Sequence, residues 1–185
     1  MTEETHVLVS RDDVALVIID IQERLPPAIA NKEKLLANVV RLARFAKLIG
    51  LPIVASEQIK LGPLAPEILA ALPGLDITIK SEFDALKSAT FAEKLAALGR
   101  HTLAVAGIET HICVAQTVLH ALSQHRVHVI ADATGSRGVD NWRIGLSRMQ
   151  QAGAVISSTE MLMYELLERA GTDEFRAALE LVKGP

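Results

Sequence analysis

The stretch AVAGIETHICV, residues 104–114, decides how the rest of the chain is read. An apolar strand runs into Gly107, turns, and opens a helix that carries the only cysteine of the sequence, Cys113. Thr110 is placed to act as an N-cap, and the run from His111 to Ser123 sets Val114, Thr117, Val118 and Ala121 on one helical face. Cys113 then falls in the first turn. There, unpaired backbone N–H groups and the positive end of the helix dipole favour a thiolate and predict a lowered thiol pKa. The alternative for a lone cysteine is an inert place in the core. Its neighbours in the fold have to decide between the two.

Working outward, VALVIID (residues 14–20) is a continuous apolar run ending in an acid, the pattern of a strand covered on both faces in a parallel sheet. A loop with two prolines, residues 21–31, leads to an amphipathic helix from Asn31 to Ile49, stopped by Gly50 and Pro52. LPIVAS (51–56) is the second strand, with at most a short helix around Pro66 to Leu72 after it, and DITIK (76–80) is the third, ending in Lys80. Ser81 to Ala89 reads as loop and Thr90 to Leu98 as helix, before a fourth strand from His101 to Ala106. VHVIAD (127–132) is the fifth strand, followed by the loop ATGSRG and a helix from Val139 to Gln151. Ala154 to Ser157 is the sixth, with helices at Thr159 to Ala170 and Asp173 to Lys183. Strands alternating with helices predict right-handed crossovers and a three-layer α/β/α architecture on a mainly parallel six-stranded sheet. The chain reverses between its first and last three strands, which gives the order 3-2-1-4-5-6. Neither a linker nor a repeat interrupts it, so residues 1–185 are read as one domain.

The totals narrow the classes of function. The 185 residues are half apolar, only 3% aromatic, and carry a net charge of −3 with no basic run, which argues against nucleic acid as a partner. No apolar run approaches a membrane span, no signal-peptide pattern opens the chain, and a single cysteine fits a reducing compartment. A soluble cytoplasmic protein acting on a small molecule is the expectation.

In an open sheet of this order, ligands bind beyond the carboxyl ends of the strands where the order reverses, between strands 1 and 4. Asp20 and Cys113 both fall there, and Lys80 stands at another carboxyl end. A carboxylate can take the thiol proton, an ammonium can stabilise both anions, and the thiolate can attack a carbonyl. Gly107 permits a tight turn, so N–H groups around Glu109 and Cys113 are candidates for an oxyanion hole. Acids and lysines at strand ends are also common as plain salt bridges.

VIIDIQ, then KSEFDAL, then AGIETHICV followed by QTVLHAL, spanning about Val14 to Ser158, together resemble the isochorismatase-like cysteine hydrolase superfamily. The resemblance implies a catalytic triad on Asp20, Lys80 and Cys113, and a non-proline cis peptide at the bond between Ile108 and Glu109 that aims the Glu109 N–H at the oxyanion. It also implies a homo-oligomer. The metal-binding branch of that superfamily has histidines after its second strand. This chain has ASEQIK there and no histidine from Val7 to Arg100, so no metal and no cofactor are expected. Three readings follow: a thiol hydrolase of amide or carbamoyl C–N bonds working through a thioester, ether hydrolysis with Asp20 as acid, and a non-enzymatic homo-oligomer with a redox-sensitive cysteine.

Gln22, Glu57, Gln58, Phe83 and Arg137 are candidates for the substrate pocket, each weighed against a role as loop anchor or solvated side chain. Arg137 in particular has the fork geometry to hold a carboxylate. His111 lies two residues from Cys113, a spacing that places the two on different faces of a helix and argues against a dyad. His120, His125 and His128 read as structural, and Trp142, Met161 and Met163 as packing residues.

Overall fold

Strand β1 (Val14–Ile19) is buried along its whole length, and its alternate side chains enter two different cores. Val14, Leu16 and Ile18 join one hydrophobic cluster, while Ala15, Val17 and Ile19 join the other. That two-residue alternation on a wholly apolar strand is what a sheet covered on both faces requires. The computed structural model describes residues 8–24, 29 and 32–183. The prolines of the first loop and the start of the first helix at Asn31 lie outside them.

Around β1 the sheet adds β2 (Ile53–Gln58), β3 (Ile77–Lys80), β4 (Thr102–Ile108), β5 (Arg126–Gly135) and β6 (Val155–Ser157). The order is β3-β2-β1-β4-β5-β6, with every pair parallel, as the alternation of strands and helices predicts. The helices are α1 (Lys32–Ile49), α2 (Pro66–Ala71), α3 (Ala89–Ala97), α4 (Ala115–Ala121), α5 (Val139–Gln151), α6 (Thr159–Leu167) and α7 (Asp173–Lys183). Leu35, Val39 and Leu42 of α1, Ile68 of α2, Leu162 and Leu166 of α6 and Ala178 of α7 pack on one face of the sheet. Phe91 and Leu95 of α3, Val118 of α4 and Met149 of α5 pack on the other.

Several local expectations change. Strand β5 continues three residues past Asp132, because a register shift against β4 lets pairing resume at Gly107 with Thr134 and at Ile108 with Gly135. The segment Ala85–Lys87 closes a short 3-10 turn within the expected loop, started by the Asp84 side chain accepting from Leu86 N. The helix after β4 opens as a π-turn, Thr110–Val114, before settling into α4. Thr110 is therefore no cap: the residue in that position is Glu109, and the Thr110 hydroxyl is buried without a hydrogen-bond partner. Met161 also departs from a packing role, with 55% of its surface exposed, while Met163 is buried.

Gly107 needs its missing side chain. A Cβ there would lie 2.8 Å from Ile19 Cβ, Ile19 O and Val114 Cγ2, so β1, β4 and the π-turn close on one another only at glycine.

Candidate active site

The carboxyl ends of β1 and β4 open on one cleft, and the ends of β2 and β3 bring Ser56 and Lys80 against the carboxylate in it. Asp20 directly follows β1, in left-handed conformation with φ 54°, and its N–H donates to Ser56 O at 3.1 Å. That bend turns the carboxylate inward, where only 4% of the residue is exposed. Oδ1 accepts from the Ser56 hydroxyl at 2.7 Å and Oδ2 accepts from Lys80 Nζ at 2.7 Å. The Lys80 side chain is completely buried. A buried pair of this kind is stable only while both charges and the surrounding hydrogen bonds are in place.

Cys113 enters from the π-turn, buried and beside this pair. The thiol pKa is pushed up to about 12, first by burial and then by the negative charge of Asp20. The positive charge of Lys80 pulls it back, and the charge of Glu109 adds to the rise. The expectation of a helix-lowered thiol is thus overturned. The resting sulfur is a neutral thiol beside a carboxylate, because desolvation and an adjacent anion outweigh the turn's dipole.

The bend before the π-turn is made differently from the expectation as well. No cis peptide bond occurs among the described residues, so the Ile108 to Glu109 bond is trans. The chain reverses instead through Glu109 itself, left-handed at φ 55° and ψ 65°. Its carboxylate lies 3.5 Å from Arg137 Nε and 3.4 Å from His111 Nδ1. His111 Nδ1 is also 3.1 Å from the Ser136 hydroxyl, so the imidazole is engaged away from the sulfur.

Of the pocket candidates, Gln22 and Arg137 line the cleft, whose volume is about 190 Å³. Glu57 does not: its carboxylate accepts from Leu64 N at 2.7 Å and anchors the loop after β2. Phe83 is largely exposed and outside the lining. Gln58 is outside the lining too, yet its side-chain oxygen accepts from Lys80 Nζ at 2.8 Å. Sequence reasoning missed Ser56, a single serine in a strand with no spacing signal, and the walls Leu61, Ile108 and Ile112. A larger cavity of about 310 Å³ lies between α1, the end of β5 and Trp142 of α5, and it contains none of Asp20, Lys80 and Cys113.

The histidines resolve as structural. His120 Nδ1 lies 2.8 Å from Asp84 Oδ2, and burial pushes the pKa of His125 and of His128 down. Among the described residues, no group of three or more His, Cys, Asp or Glu side chains is placed to hold a metal ion. Within the same residues, no helix is long and apolar enough to cross a membrane.

Comparison with known proteins agrees with this fold. The Isochorismatase domain family matches residues 14–161. Isochorismatase domain-containing protein 2A of Mus musculus is 31% identical over 92% of this chain and 82% of its own length. YcaC of Pseudomonas aeruginosa, solved with hexane-2,5-diol and covalent acrylamide, superposes with a TM-score of 0.89. Its identity is 26%, over 96% of this chain and 92% of that one. The YcaC gene product of Escherichia coli, described as an octameric hydrolase of unknown specificity, has a TM-score of 0.89 and 25% identity over 95% and 91% of the two chains. With a matching profile over most of its length, the same sheet order and relatives of this similarity, the chain belongs to the isochorismatase domain family.

Proposed function

We propose that this isochorismatase-like hydrolase is a cysteine hydrolase that cleaves an amide or carbamoyl C–N bond of a small molecule through a thioester, with Asp20, Lys80 and Cys113 as its triad. The observation that carries the reading is a buried thiol lining the same small cleft as Asp20, whose carboxylate accepts from a buried ammonium at 2.7 Å. Asp20 accepts the Sγ proton as sulfur attacks the carbonyl carbon, so negative charge forms on the carbonyl oxygen only when substrate is present. A thiol held neutral at rest suits that order of events. The N–H groups of Glu109 and Cys113 are assigned to the oxyanion. Collapse of the tetrahedral adduct expels the amine, which takes the proton back from Asp20. Water, deprotonated by Asp20, then attacks the thioester carbonyl, releases the carboxylic acid and restores the thiol. Lys80 supplies a fixed positive charge beside each anion.

The covalent acrylamide on the P. aeruginosa relative supports a nucleophile of this type, since acrylamide captures soft nucleophiles. The cleft volume and the Arg137 and Glu109 charges at its wall favour a small polar substrate. The whole chain, residues 1–185, is read as one domain that works in the cytoplasm as a homo-oligomer, a reading supported by the octameric E. coli relative. The deciding experiment is a screen of small amides and carbamoyl compounds for ammonia release, followed by mass spectrometry of the trapped enzyme. An acyl adduct on Cys113 and loss of release in Cys113→Ala are expected. Full turnover by Cys113→Ala overturns the thioester route and leaves acid-catalysed ether cleavage by Asp20 as the reading to test.

A further inference from the structure

Gln58 closes β2 and is the register partner of Lys80, the last residue of β3. Residues in register on parallel strands project to the same face, which places the glutamine side chain beside the ammonium. Its amide has one possible orientation. Oε1 accepts from Lys80 Nζ at 2.8 Å while Nε2 donates to Ser81 O at 2.8 Å, and reversing it would aim two N–H groups at a cation and an oxygen at a carbonyl. The main chain of Gln58 is clamped in turn by Gln22. Gln22 Nε2 donates to Gln58 O at 2.9 Å and also to Gly62 O, and Gln58 N donates to Gln22 Oε1 at 2.9 Å. Gln22 is 1% exposed, so the clamp is closed to water.

An ammonium has three protons to give. Those of Lys80 go to Asp20 Oδ2 at 2.7 Å, Gln58 Oε1 at 2.8 Å and Glu82 O at 3.0 Å. The set is saturated, with no donor left over for substrate. Only one of the three acceptors is an anion, and the side chain has no contact with solvent. Removing a neutral acceptor would strand an N–H of a buried cation, a far larger penalty than losing an exposed hydrogen bond.

We propose that Gln58, held by Gln22, is a positioning residue that keeps Lys80 charged and aimed at Asp20, and so acts on the Cys113 sulfur without touching it. The inference rests on the thiol-hydrolase reading above and deepens it. Three charged groups act on that sulfur, Asp20, Lys80 and Glu109, and Lys80 alone among them favours the thiolate.

The test is the rate of Cys113 alkylation by iodoacetamide, followed as a function of pH, which needs no substrate. Gln58→Met keeps the length of the side chain and removes the acceptor. It is expected to slow alkylation by about 10-fold at mildly alkaline pH, the effect of one pKa unit. In a Lys80→Met background the same change should matter less than about twofold, because residues acting through one another are not additive. Equal slowing in both backgrounds, or none in the native one, overturns the proposal. An unchanged rate in Lys80→Met alone removes the lysine from the chemistry and takes the proposal with it, an outcome distinct from failure of Gln58 by itself. Should the variants not fold, the unsubstituted protein labelled with 15N-lysine decides. A Lys80 ammonium resonance protected from exchange at neutral pH is expected, and a freely exchanging or deprotonated amine contradicts the saturated set.

Discussion

The Cys113 thiol is held neutral by burial first and then by the same carboxylate that is proposed to take its proton, and that doubling of roles can be tested. Replacing Asp20 by Asn removes the anion that raises the thiol pKa while abolishing the base. Cys113 of Asp20→Asn should therefore be alkylated faster than in the native protein at a given pH, by about 10-fold for each unit by which its pKa falls, while hydrolysis is lost. A slower reaction with iodoacetamide would show that the carboxylate activates the sulfur at rest, contrary to the geometry. The three polar residues proposed for the chemistry were legible in the sequence because each ends or follows a strand, and the fold brings strand ends together. Ser56 and the hydrogen bond that Gln58 accepts from Lys80 were not. Their importance is set by register, Ile19 against Ser56 and Gln58 against Lys80, and no spacing along the chain encodes which residue a neighbouring strand brings alongside. The raised thiol pKa was missed for a related reason, since helix position is local and burial is not.

At the amino ends of the strands, far from the cleft in the sheet's own direction, Asp13 ties three neighbours together. Asp13 lies just before β1, and its carboxylate accepts from Thr102 Oγ1 at 2.8 Å at the start of β4, from Arg126 Nη2 at 2.9 Å at the start of β5, and from His101 N at 3.1 Å, just before β4 begins. Burial acts to raise this carboxyl pKa, but the bonds from Thr102, His101 and Arg126 outweigh it and hold the group well below the usual carboxylate range. A carboxyl depressed in the folded state contributes stability above its unfolded pKa of about 4 and loses it as pH falls toward the folded value. Asp13→Asn should then lower stability by about 1 kcal/mol at neutral pH, with the gap closing below about pH 4. Urea midpoints at several pH values measure this, and a gap independent of pH would exclude the clamp. Element boundaries were the less legible part of the chain. The extension of β5 follows a register shift, and the π-turn follows a left-handed Glu109, and both arise from how strands and turns meet. The long periodic segments, β1 and the helix Val139–Gln151, were readable because a buried stripe writes its period into the sequence.

For the molecule as a whole, the sheet ends on one side at β3, four residues paired along one edge only. Around it Ile79 is 68% exposed and Phe83 55%, with Ile59 and Leu61 also open to solvent. An unpaired edge carrying apolar side chains is a surface that folded proteins cover, and the proposed homo-oligomer would do so. Sedimentation equilibrium should give a multiple of the 20.0 kDa chain mass, shifted downward by Ile79→Lys. A 20.0 kDa particle across the concentration range would dismiss the assembly. The same edge has a consequence for how the molecule fails. Asp20 and Cys113 hang from the interior of the sheet, but Lys80 hangs from its hem. Fraying of that hem would withdraw the ammonium while the interior stays folded. The proposed chemistry and the fold should then be lost in two separate steps, with a warmed sample falling silent before it melts.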